Sequence, residues 1–155
     1  MIDLKNLEVW FVAGGQNLYG EKALREIKRN ASAIASHING NQEIPVPVDF
    51  KGVLTTAGDI TELCKKASEK DQCIGLICWM HTFSPAKMWI NGLKRLTKPI
   101  LHLHTQRNMD IPWESIDMDY MNLHQSAHGG REFGFICQRL EVSRKVVVGH
   151  WSDEK

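Results

Sequence analysis

The chain is 155 residues long, enough for one domain with its own core, and 43% hydrophobic with 24% charged residues is an ordinary globular balance. Nineteen Lys and Arg face eighteen Asp and Glu; a net charge of +1 excludes a general pull toward nucleic acid or an anionic membrane. No apolar run approaches the roughly 20 residues a membrane helix needs and the start shows no signal-peptide pattern, so the cytoplasm is the expected location.

Strand and helix signals then alternate. Residues 7–13 are a short, mostly apolar run ending in glycines, which suits a buried strand. Leu24, Ile27, Ala31, Ile34 and Ile38 recur at helical spacing, and Gly40 can end that helix in a left-handed cap. Residues 46–50 form a weaker strand with prolines at its entrance. Ile60, Leu63, Cys64 and Ala67 mark a second helix, with Thr56 or Asp59 as its cap. Residues 73–79 are the strongest buried strand. Ser84 and Pro85 suit the start of a helix carrying Met88, Trp89, Leu93 and Leu96. Residues 99–104 read as a fourth strand. Residues 120–142 contain a helix that Gly129 and Gly130 weaken or bend. Residues 146–148 are a fifth strand, and no helix follows it, which suggests a piece of a longer protein.

Five strands alternating with helices argue for an α/β fold: a doubly wound, five-stranded parallel sheet, flavodoxin-like or Rossmann-like, in the order 2-1-3-4-5. Ligands of such sheets bind beyond the carboxyl ends of the strands, where the order reverses, here between strands one and three. The loop at 14–20, the loop at 81–85, and Thr105 with Gln106 all belong to that edge. Together they gather amides, hydroxyls, imidazole and aromatic rings with almost no charge. Sugar hydroxyls both donate and accept, and Gln, Asn, His, Thr and Tyr match both roles. Turn closure and helix capping account for the same residues loop by loop; their convergence favours a polyol site as strongly.

Other chemistries fare worse. Gly14, Gly15 and Gly20 make neither G-x-G-x-x-G nor a P-loop, and Glu21 would repel a phosphate. His124 and His128 are spaced to share a helical face, but Gln125 stands where a zincin has Glu. His102 and His104 share a face of strand four. With no carboxylate cluster nearby, these residues make no complete metal site. The glycines after His128 let a ligand or another chain approach closely. Cys64, Cys73, Cys78 and Cys137 form no C-x-x-C pair. Cys73 and Cys78, five apart on one strand, point to opposite faces, and all four read as buried free thiols. Met88, Trp89, Met118, Tyr120 and Met121 are candidates either for the core or for an interface.

Several runs resemble the L-arabinose isomerase family: Glu8-Val-Trp-Phe-Val12, Gly15-Gln-Asn-Leu-Tyr-Gly20, and the long stretch from His81 to Gly92. Residues 113–119, 127–135 and 149–151 do so too, in order along the whole chain. The resemblance implies the amino-terminal domain, spanning residues 1–155, of an aldose–ketose isomerase that interconverts L-arabinose and L-ribulose, often also D-galactose and D-tagatose. It implies a manganese-dependent homohexamer whose metal ligands and proton-shuttling glutamates lie in central and carboxy-terminal domains absent here, so this chain alone is expected to be inactive. Position by position it implies that Gln16, Leu18, Tyr19 and Phe83 belong to the sugar pocket, and that Gln125 and His128 serve a neighbouring subunit's site. Gly15 departs from the Ser often found there, which suggests a looser first loop, and Cys137 replaces a small residue. The competing readings are a stand-alone sugar-binding module, a phosphate-binding module, and an assembly domain without catalysis.

Overall fold

The computed structural model describes Leu4 and residues 6–82 and 86–153. Five strands, β1 (Glu8–Gly14), β2 (Val48–Leu54), β3 (Cys73–Met80), β4 (Ile100–His104) and β5 (Lys145–Val148), form one sheet. All pairings are parallel and the order is β2-β1-β3-β4-β5, as expected. Helices cover both faces. On one, α1 (Gly20–Gly40) lays Ala31, Ile34 and Ala35 over Phe11, Ala13 and Trp79. On the other, α2 (Ala57–Glu69), the short helical run of a 3-10 turn (Ala86–Trp89) and α3 (Ile90–Leu93), and α5 (Ser126–Arg139) pack over Trp10, Val12, Cys78 and Met80. A six-residue helix, α4 (Met118–Leu123), precedes α5. No helix among the described residues is long and apolar enough to cross a membrane.

Local chemistry explains most boundaries. Thr56 accepts a hydrogen bond from the Asp59 N–H at the start of α2, and Asp117 does the same for Tyr120 at the start of α4. β2 begins at Val48 because Pro47 has no N–H for the ladder; its carbonyl still accepts from Val9 at 2.9 Å. The left-handed cap expected at Gly40 does not form. The helix exits through Asn41 at φ −77°, and the exit is held by side chains: Asn41 Oδ1 accepts from the Glu43 N–H and Asn39 Oδ1 from the Val48 N–H.

Two bulges change which residues share a face. Phe11 pairs with Phe50 and Val12 with Gly52, so Lys51 is extra in β2; Gly52 has φ +115°, which glycine tolerates without strain. Glu8 pairs with Cys73 and Val9 with Gly75, so Ile74 is extra in β3. That extra residue reverses the alternation, and Cys73 joins the same core as Cys78 rather than the opposite one. All four cysteines are free and buried.

Two further expectations need correction. Gly129 and Gly130 do not bend the helix; they lie inside α5, and the break comes earlier, at His124 and Gln125. His124 therefore lies just past the end of α4 and His128 inside α5, so they share no helical face. Trp89 is fully buried and Met88 packs against the same core, whereas Met118 and Met121 are exposed. The Ser84–Pro85 helix start lies outside the described residues.

Candidate functional site

The carboxyl edge of the sheet is assembled from two neighbouring pieces. In the first, β1 ends at Gly14, Gln16 is extended, and Asn17–Tyr19 make one 3-10 turn before Gly20, at φ +77°, opens α1. Leu18 is 82% exposed, while Gln16 and Tyr19 are half-buried. Partial burial raises the Tyr19 hydroxyl above its ordinary pKa, so it remains a donor at neutral pH. The loop is not loosened by Gly15. A Cβ there would lie 3.0 Å from Val53 Cγ1, so glycine lets the loop sit tightly on β2.

The second piece is the end of β3 with the start of α5. The Gln125 N–H donates to the His81 carbonyl at 3.2 Å, which turns the chain between α4 and α5. Gly129 and Gly130 then face inward. A Cβ at 129 would fall 2.2 Å from the Thr82 carbonyl oxygen, and one at 130 would lie 3.2 Å from both His102 Nε2 and His104 Nε2. The glycines thus admit the strand ends rather than an outside ligand. His128 lies on the half-buried side of α5, where its Nε2 meets Glu132 Oε1 at 3.3 Å.

Behind these pieces sits a chain of aromatic rings. His81 stacks on Trp79 with centroids 4.4 Å apart and approaches His124, which lies tilted against Tyr120 with centroids 4.3 Å apart. Burial, with smaller effects from neighbouring His124 and Arg107, drives the His81 imidazole down to about 3. Burial and the adjacent His104 drive His102 down to about 4. Both rings are therefore neutral at pH 7. His102 and His104 stack in near-parallel planes, on one face of β4 as expected.

Beyond β4 and β5 opens a cleft of about 610 Å³ whose polar lining includes His104, Gln106, Tyr120, His124, Gln125 and His150. Met109, Ile111 and Met121 line it too as an exposed apolar rim, and Trp113 and Met118, close to them in the chain, are exposed as well. Thr105 and Gln106, singled out at the sheet edge, line this cleft, as do His104 and His124; of the described positions that the family resemblance implies, Gln125 does. Among the described residues no three His, Cys, Asp or Glu side chains come together in a way that could hold a metal ion.

The L-arabinose isomerase N-terminal domain family matches residues 3–155. The chain belongs to this family. The L-arabinose isomerase of Geobacillus stearothermophilus is 57% identical to it over 153 residues, 99% of this chain and 31% of the relative. That of Koribacter versatilis is 58% identical over the same share of each. That of Flavobacterium johnsoniae is 56% identical over all 155 residues, again 31% of the relative. The chain thus spans about a third of the length of the isomerases it resembles.

Of the six positions the family resemblance points to, the structure describes five. Gln16, Leu18 and Tyr19 stand together after β1, and Gln125 and His128 stand together at the start of α5; Phe83 lies outside the described residues. Reading the sequence missed the link between the two groups, which runs through Asn30. Its signal was present: Asn30 is a polar residue in the apolar stripe of α1, at helical spacing from Ile27 and Ile34.

Proposed function

We propose that this chain is the amino-terminal part of an aldose–ketose isomerase acting on L-arabinose and L-ribulose, and possessing the same activity on D-galactose and D-tagatose. The observation that carries the reading is an identity of 56–58% across essentially the whole chain to relatives named L-arabinose isomerase. The site's chemistry supports it: the Gln16 and Gln125 amides, the Tyr19 hydroxyl and the His128 imidazole both donate and accept, as sugar hydroxyls require. Leu18 and Phe83 supply apolar surface for the C–H face of the sugar. The open setting of Leu18 suits a half-site completed by another subunit of a cytoplasmic homohexamer.

Aldose–ketose isomerisation moves a proton between adjacent carbons and needs a base and an electrophile on the oxygens. The described residues do not fit a manganese centre, since no donor cluster is present. On this reading the metal and base of the reaction belong to other domains, and this chain's part is to bind and orient the sugar. The exposed apolar rim adds contacts for assembly.

A chimera tests this: the chain joined to the remaining two thirds of the Geobacillus stearothermophilus enzyme should form ribulose from L-arabinose, and the 155-residue chain alone should not. In the chimera, Gln16→Ala and His128→Ala should each lower kcat/KM several-fold, as expected for loss of a roughly 0.5–1.5 kcal/mol contact. Mixing a His128 variant with a metal-ligand variant should restore activity in mixed oligomers if His128 serves a neighbour's site. Wild-type kinetics in both substituted chimeras would sink the proposed pocket.

A further inference from the structure

We propose that His81 is a positioning residue that, through Asn30, holds the Gln16–Leu18–Tyr19 segment in register with the Gln125–His128 segment. The inference rests on the sugar-pocket reading above. Its basis is one buried residue that meets three elements. The His81 N–H donates to the Gly14 carbonyl at the end of β1 (3.4 Å), and its own carbonyl accepts from the Gln125 N–H (3.2 Å). Its ring accepts at Nε2 from Asn30 Nδ2, 3.0 Å away, in the middle of α1. The two backbone bonds do not depend on the side chain. The bond to α1 depends on the side chain.

Asn30 gives the second half of the case. It is 7% exposed, on the face of α1 that carries the wholly buried Ile27 and Ile34. Asparagine is a poor interior helix residue, and a buried amide is costly unless it is bonded. Its bond to His81 Nε2 meets that requirement. α1 begins directly after Tyr19, so fixing Asn30 fixes the rigid rod on which the first loop is mounted. His81 in turn is clamped by stacking on the fully buried Trp79. At 1% exposure it is closed to a ligand, so its contribution to sugar binding passes through the residues it holds. The bond places the ring proton on Nδ1, and burial keeps the ring neutral, so Nε2 remains an acceptor through the neutral range.

The test uses the chimera, at temperatures where circular dichroism shows each variant fully folded. Asn30→Leu keeps the branched shape and removes the donor; it should raise KM for L-arabinose about 3- to 10-fold and leave kcat within about two-fold. His81→Gln, whose amide oxygen can accept from Asn30, should recover most of the affinity that His81→Phe loses. Added to Gln125→Ala, Asn30→Leu should cost less than it does alone, because the contact it aligns is already gone; additive losses would mark a merely structural role and overturn the proposal. A folded Asn30→Leu chimera with unchanged KM, beside a Gln125→Ala chimera that is impaired, overturns the role of His81 and leaves the pocket reading intact. Unchanged KM in Gln16→Ala and Gln125→Ala overturns the pocket reading itself. Should Asn30→Leu fail to fold, Asn30→Ala carries the same comparison.

Discussion

Glycines at two helix positions make opposite demands. Gly129 has the Thr82 carbonyl where a Cβ would go, at 2.2 Å, and that oxygen is backbone at a crowded strand end. Gly129→Ala should therefore destabilise by about 1–3 kcal/mol or more through forced backbone shifts. Gly58, exposed in the first turn of α2, has only Thr56 Oγ1 nearby, at 3.7 Å; Gly58→Ala should stabilise by roughly 0.5 kcal/mol. Urea midpoints of the two variants should lie on opposite sides of the parent. The buried histidines make a second residue-scale prediction. Burial lowers His81 to about 3 and His102 to about 4 from 6.5, and lowers His124 in the same direction. The unfolded chain then binds protons that the folded chain refuses. The resulting stability is complete above pH 6.5 and is lost as pH falls toward 4. Protonation of His81 and His102 on unfolding gives a slope of at most about 2.7 kcal/mol per pH unit. Urea midpoints should fall from pH 7.5 to 5, and His102→Gln should flatten that fall; equal midpoints across the range would contradict it.

At the scale of elements, the sheet is unequal. Residues 11–13 of β1 are wholly buried, while every residue of the edge strand β5 is exposed, Val148 to 74%. Trp151 packs against the core on the α1 side, edge-on to His37 and donating to the Arg107 carbonyl at 2.9 Å. Amide exchange should therefore be slowest in β1 and β3 and faster in β5 by orders of magnitude. Thr56→Ala should cost about 1 kcal/mol by removing the α2 cap. That cap was legible in the sequence because its donor is three residues away. The strands β1 and β3 were legible as continuous apolar runs, and their alternation with helices was enough for the strand order. The bulges at Lys51 and Ile74 were not, because an extra residue in a buried strand leaves apolar content unchanged while reversing every later side chain. Nor was the break before α5, which depends on a bond from Gln125 to a carbonyl 44 positions earlier in the chain. The candidate site divides in the same way. Gln16, Tyr19 and the loop at 81–85 stood out through local glycines and polar residues, whereas the bond from Asn30 to His81 spans 51 positions and no local pattern encodes it.

At the scale of the whole molecule, Met109, Ile111, Trp113, Met118 and Met121 are all exposed within one short stretch of chain, and Met109, Ile111 and Met121 line one cleft, a concentration larger than scattered surface residues produce. The isolated chain should self-associate in the tens of micromolar, and Trp113→Ser with Met118→Ser should return sedimentation to that of a monomer with little change in urea midpoint. A monomer at high concentration before substitution would count against the rim as a sticky surface. The buried cysteines have a different consequence. Burial pushes the Cys64 thiol up to about 12 and the Cys137 thiol up to about 11, and raises Cys73 and Cys78 as well. Thiolate is the reactive form, so the native fold hides these sulfurs from a disulfide reagent twice, by access and by ionisation. The protein thus carries its own clock. The chromophore released from such a reagent should appear only as fast as molecules open, and it should quicken with urea in step with unfolding. With Cys73 at the mouth of β3 and the other three sulfurs deeper in the same core, a single release of four equivalents would time the opening of the core as one body, and an early first equivalent would time the fraying of the strand that the extra Ile74 displaces.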